Sequence, residues 1–285
     1  MSNTVTYDEV LVATDGGNLA EAATQHALSL AVAFDATVHA LAVVDTSVAG
    51  DYPSKRARAN DAVEAVVGSA ERAGVDCVTA VREGPSRPYS EIVDYRREND
   101  LDLVAMGTHG RTGVRRYLLG SVAERVVRSA AVPVLVVPPT ESDVRDPDYE
   151  TLLVPVDSSD VARAAARHGV GVAERYGAAV HTLHAADEWS DRDAADVTGD
   201  TASADELLGT VTDWADEAQL TATDHRHSDG PVDAIEAAIA EYDVDLVAMG
   251  TQGESGVRRL VLGGTTERLL RGVHVPVLTV PPEER

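Results

Sequence analysis

Through the first half of the chain the apolar positions gather into five short runs: "EVLVAT" at 9–14, "TVHALAVV" at 37–44, "DCVTAV" at 76–81, "LDLVAM" at 101–106 and "VPVLVV" at 132–137. Each is bounded by turn-forming or charged residues, and runs of this length rich in valine predict buried strands. Between them lie helix-length segments such as "NLAEAATQHALSLAVAF" at 18–34, whose apolar positions recur at helical spacing. Strands that alternate with helices predict a parallel sheet, because parallel neighbours need a crossover connection and are then covered on both faces. The expected unit is a doubly wound α/β domain with five parallel strands and helices on both faces.

The pattern then repeats. "YDEVLVATDGG" at 7–17 returns as "YETLLVPVDSS" at 149–159, and "ATVHALAVVD" at 36–45 as "AAVHTLHAAD" at 178–187, both at one constant offset. Over 100–139 against 243–282, 25 of 40 positions are identical, which is internal duplication. The chain of 285 residues suits two such domains. The expected boundaries are a first domain at 1–139, a Pro- and Asp-rich linker at 140–148 and a second domain at 149–285. The last strands, "VPVLVV" and "VPVLTV", are near copies. An open sheet edge invites pairing, so they predict an internal pseudo-dimer of the two halves, with a homodimer as the other way to cover such an edge.

Composition changes the picture in three ways. No apolar run approaches the ~18 residues that span a bilayer, and the start "MSNTVTYDEV" lacks a basic or apolar leader, so a soluble, cytoplasmic protein is expected. The one cysteine, Cys77, cannot form an internal disulfide and is expected as a buried structural thiol. Finally, 48 Asp+Glu against 24 Lys+Arg gives −24, and only Lys55 is lysine, leaving 24 − 1 = 23 arginines. That balance opposes nucleic-acid binding, which needs a basic footprint. An acidic, nearly lysine-free surface fits a halophilic setting, since at molar salt the Debye length falls to roughly 3 Å.

The stretch "VAMGTHGRTGVRRYLLGSVAERV" at 104–126 carries the candidate chemistry. A helix N-terminus has unpaired N–H groups and partial positive charge, so it holds phosphate where glycine lets backbone approach closely. Gly107, Gly110 and Gly120, with the Ser121 hydroxyl, form a candidate phosphate cradle. The bland alternative is a capping box, Ser121 as N-cap and Glu124 at N3. No lysine follows the glycines as in a Walker loop, and there is no GxGxxG after the first strand. Nor does the chain show a nucleophile elbow or metal-spaced His/Cys cluster.

The spacing G-x2-G-x9-G-S, together with the "DGG" and "VVD" elements of the first half, resembles the universal stress protein family, and the resemblance covers both halves almost end to end. It implies an adenine nucleotide alpha hydrolase-like fold and ATP as ligand, with phosphates at Gly107, Gly110, Gly120 and Ser121 and with Met106, Thr108 and Val122 beside them. It also implies Asp15 facing ribose and adenine, and a base pocket lined by Ala13, Thr14 and Val43. His109, Arg111, Arg115 and Arg116 are further candidates for touching phosphate, each equally at home as a solvated loop residue. His26 and His168 occupy matching positions on the first helix of each half and are expected to pack or cap rather than bind a ligand. Trp189, in the acidic run 187–206, is a candidate cover for the second site.

The copies differ where ligand would sit. Asp157, Met249, Gly250, Gly253 and Gly263 are kept, whereas Gly264 replaces Ser121, Gln252 replaces His109, Glu254 replaces Arg111 and Ala185 replaces Val43. Thr265 is the remaining hydroxyl that could serve there. The expectation is ATP mainly in the first half, with a weaker second site, in a stress sensor or regulator. The alternative is a slow ATPase or adenylate-transferring enzyme using the same site with Mg²⁺.

Overall fold

The computed structural model describes residues 5–47, 51–85, 87–108, 119–139, 147–185, 204–228, 230–253 and 262–282. The chain divides into two compact units at Pro147/Asp148. Among the described residues no helix is long and apolar enough to cross a membrane.

The first unit contains β1 (Glu9–Ala13), α1 (Asn18–Phe34), β2 (Thr37–Asp45), α2 (Tyr52–Ala73), β3 (Cys77–Gly84), α3 (Pro88–Glu98), β4 (Leu103–Gly107), α4 (Ser121–Ser129) and β5 (Val134–Val137). Its strands lie in the order β3-β2-β1-β4-β5, and all four pairings are parallel. Right-handed crossovers then place α1 and α2 on one face and α3 and α4 on the other, and α1 packs on α2 and α3 on α4. Strand order reverses between β1 and β4, whose facing side chains Val10, Leu11, Val12, Leu103, Val104 and Ala105 are fully buried.

Sequence dictates the ends of these elements. The Asp102 carboxylate accepts from the N–H groups of Asp8 and Glu9 at 2.9 and 3.0 Å, which fixes where β1 begins beside β4. Pro88 starts α3, where a missing N–H costs nothing. Gly74, with φ 71, ends α2 in the left-handed conformation that glycine adopts freely.

The second unit repeats the plan with β6 (Thr151–Pro155), α5 (Asp160–Tyr176), β7 (Ala179–Ala185), α6 (Ala204–Glu217), β8 (Ala222–His227), α7 (Pro231–Glu241), β9 (Leu246–Gly250), α8 (Gly264–Gly272) and β10 (Val277–Val280). Its order is β8-β7-β6-β9-β10, again parallel. Asp245 repeats the clamp of Asp102, accepting from Glu150 and Thr151 at 2.9 Å each.

Two expectations are corrected. Cys77 begins β3 as predicted, but it is only half-buried, because β3 is the outermost strand of its sheet and turns several side chains to solvent. Partial burial still pushes its thiol pKa up. Ser121 is not an N-cap: Gly120 holds that position in extended conformation and Ser121 is the first helical residue. Glu124 pairs with Arg128 at 2.7 Å instead of reaching back, so no capping box forms.

Candidate functional site

The carboxyl ends of β1 and β4 open into one crevice at the reversal of strand order, the place where doubly wound sheets take ligands. Past β1, Thr14 N–H still donates to Leu41 O at 2.9 Å. Gly16, with φ 70, then turns the chain, the Gly17 N–H donates to Asp15 Oδ1 at 2.9 Å, and α1 begins. The turn needs glycine for its left-handed backbone and holds the Asp15 carboxylate beside the crevice.

Past β4, the Thr108 N–H donates to Val137 O at 3.0 Å and the Gly120 N–H to Thr108 O at 2.7 Å. This backbone bond ties together the two ends of the segment 109–119 and aims the first turn of α4 at the crevice. Gly110, His109, Arg111, Arg115 and Arg116 lie outside the described residues, as do Trp189 and Glu254. Ser121 is exposed, and its hydroxyl makes no hydrogen bond with the described residues.

Between these exits lies a cavity of about 370 Å³. It is lined by Ala13, Thr14, Asp15 and Val43 from the first two strand exits, by Met106, Gly107 and Thr108 from β4 and its exit, and by Gly120, Ser121 and Val122 from the start of α4. Every candidate of the first half within the described residues is thus brought to one cavity. Sequence reading missed Leu41, Pro88 and Ile92, which wall the same cavity. The signal was present in Pro88 as a helix start with Ile92 one turn later, on a crossover that must return over β1. Asp15 is the one ionisable side chain in the described lining. One end of the cavity is therefore apolar, while the other is a helix N-terminus with orphan N–H groups.

Gly107 has a reason apart from any ligand. A Cβ there would stand 2.8 Å from Leu19 Cβ and 3.0 Å from Leu19 backbone, so close packing of α1 requires glycine. Gly250 faces Val161 in the same way, at 2.8 Å.

The second half assembles its candidates differently. Gly263 N–H bonds Thr251 O at 2.8 Å, so the same backbone tie forms. Asp157 accepts from Ser159 N–H at 3.0 Å and from its hydroxyl at 2.5 Å through Oδ1. Its Oδ2 lies 2.6 Å from where a Gly253 Cβ would be, so this carboxylate lies against the glycine segment. Gly264 opens α8 with nothing near it, Thr265 follows, and the buried Thr266 hydroxyl donates to Gly250 O at 2.8 Å. Met249 is buried in β9, and Ala185 ends β7 half-exposed. His26 and His168 sit within α1 and α5, where burial lowers both pKa values to about 4, helped at His168 by the Arg167 charge.

A model described as the universal stress protein family matches residues 6–138 and again 148–281. Universal stress protein MJ0531 of Methanocaldococcus jannaschii is 39% identical over 141 residues, which span 46% of this chain and 82% of that protein. Universal stress protein Mb2028c of Mycobacterium bovis is 28% identical over 188 residues, 63% of this chain and 62% of its own length. Among solved structures, a universal stress protein from Archaeoglobus fulgidus covers 98% of this chain and 100% of its own at TM-score 0.76, and at 22% identity it shares the fold.

Proposed function

Because the chain belongs to the universal stress protein family and carries that domain twice, we propose that its first half binds ATP as a regulatory ligand, in a cytoplasmic stress sensor whose second half is a weaker site. The observation that carries this reading is a cavity of about 370 Å³ with apolar walls at one end and the start of α4 at the other. Leu41, Val43 and Ile92 suit a base. Gly120 and Ser121 present backbone N–H groups and a hydroxyl where polyphosphate would meet the positive end of the helix. A volume within the ~300–1,000 Å³ of small-molecule sites accommodates one nucleotide.

The second half supports a weaker site. Asp157 presses a carboxylate toward the glycine segment, and polyphosphate beside it would meet like charge. Gly264 offers no hydroxyl where Ser121 stands in the first half.

Calorimetric titration of the full chain with ATP tests the proposal. We expect one tight site per chain, lost in Gly120→Val and retained in Gly263→Val. Gly120 has φ −66 and ψ 146, a backbone that valine adopts without strain, and an unchanged melting temperature of the variant separates ligand approach from folding. Two equal sites, or loss only in Gly263→Val, would overturn the assignment.

A further inference from the structure

A second cavity of about 320 Å³ adjoins the first. The two meet at Thr14, Asp15 and Val43 and then diverge. The nucleotide cavity runs toward α3 and α4, and the second runs toward α2 on the other face of the sheet, ending at Asp45, Lys55 and Arg58.

Its charges are unusual for this chain. Lys55 is the only lysine among 24 basic residues, and its ammonium donates to the Asp45 carbonyl at 3.3 Å, at the very end of β2. Arg58 is exposed and makes no ion pair among the described residues. Arg56, on the same helix, is by contrast taken up by Glu83 at 2.7 Å. In a chain of net charge −24, a guanidinium without a carboxylate partner among the described residues is conspicuous when it borders a cavity.

The two carboxylates in the same lining already have work. Asp15 Oδ1 receives the Gly17 N–H. Asp45 Oδ1 receives the Ser47 N–H at 2.8 Å and its hydroxyl at 2.5 Å. Each carboxylate thus caps a local turn, while Lys55 and Arg58 border the same cavity from α2. Paired cationic donors recognise phosphate or carboxylate oxygens through charge-assisted hydrogen bonds.

We infer that this second cavity is an anion subsite in which Lys55 and Arg58 hold a phosphate group next to the base and ribose of the bound nucleotide. The inference rests on the proposed nucleotide site only for what lies beside it. The phosphate comes either from the same ligand, as a second phosphate on the nucleoside, or from a free anion bound alongside.

Titrations of the full chain separate the sources. Adenosine 3′,5′-bisphosphate is compared with adenosine 5′-monophosphate, and inorganic pyrophosphate is titrated into protein saturated with ATP. We expect either a tenfold or greater preference for the bisphosphate or saturable pyrophosphate uptake. Whichever appears is lost in the Lys55→Gln/Arg58→Gln variant and kept in Arg58→Lys, while ATP affinity stays within twofold. Both positions face solvent at least in part, and unchanged melting confirms that the variants fold. Neither preference nor uptake, or an effect indifferent to the double substitution, overturns the inference. If ATP itself does not bind, the proposed function fails separately. Pyrophosphate alone then decides the subsite: binding abolished by the double variant supports it, and absence of binding overturns it.

Discussion

At the scale of residues, glycines that look alike in sequence do different things. Gly107 is demanded by Leu19 and Gly16 by a left-handed turn, whereas the extended backbone of Gly120 makes no such demand. The motif spacing made these positions legible. It could not assign them, because the reason for Gly107 is a neighbour 88 positions away in sequence, 107 − 19 = 88. Ser121 shows the reverse: two readings were open, and the helix start at Gly120 removes the capping one. Ser121→Ala should therefore leave stability within about 0.5 kcal/mol, as for a surface change that breaks no cap. If the hydroxyl serves phosphate, the loss in ATP binding is about 1.5–3 kcal/mol, the worth of a hydrogen bond to a charged group. Parallel thermal melts and ATP titrations check this; equal effects on both would return Ser121 to a structural role.

Among elements, the legible features were those written in local periodicity. The segment read as helical at 18–34 matches α1 residue for residue, and each of the five apolar runs of the first half overlaps a strand. Periodicity cannot show lateral order, so the half-buried Cys77 on edge strand β3 was misread as a core thiol. Nor does it show partners across strands. His39 sits between Glu9 at 3.0 Å and the Tyr95 hydroxyl at 2.9 Å, whereas its copy His181 meets His225 at 3.0 Å. The packing of β4 and β9 against the first helix of each half yields a prediction. Gly107→Ala and Gly250→Ala force a Cβ to within 2.8 Å of Leu19 and Val161, and each should cost about 1–3 kcal/mol, as overpacking does. Gly264→Ala, with nothing within 4 Å, should be neutral or stabilising. Urea titrations of the three variants test the ranking.

For the whole molecule, titration and net charge set the working range. His26 and His168 hold pKa values of about 4 in the folded chain, against an ordinary 6.5. On acidification below about 6.5 the unfolded chain takes up these protons first, so stability falls between pH 6.5 and 4, by about 3 kcal/mol per histidine at full protonation. Denaturant midpoints should decline across that window, with a shallower slope in His26→Leu. A slope unchanged by that substitution would refute the assignment. At pH 7 the formal net charge of −24 adds self-repulsion. Screening of self-repulsion should raise the melting temperature from below 0.2 M to above 2 M KCl, and a flat or falling trend would count against a salt-adapted surface.

The backbone bond from Gly120 to Thr108, repeated from Gly263 to Thr251, works as a clasp that brings two distant points of the chain together. Once two ends are tied, each doubling of the length between them costs only about 0.6 kcal/mol of closure entropy. New residues can then be spliced between Thr108 and Gly120 with little penalty to the sheet beneath. The chain carries this tie twice, so one segment can be varied while its copy is left unchanged. A selection library confined to 109–118, which spares the buried Leu119, would test how far the segment can change without loss of the fold.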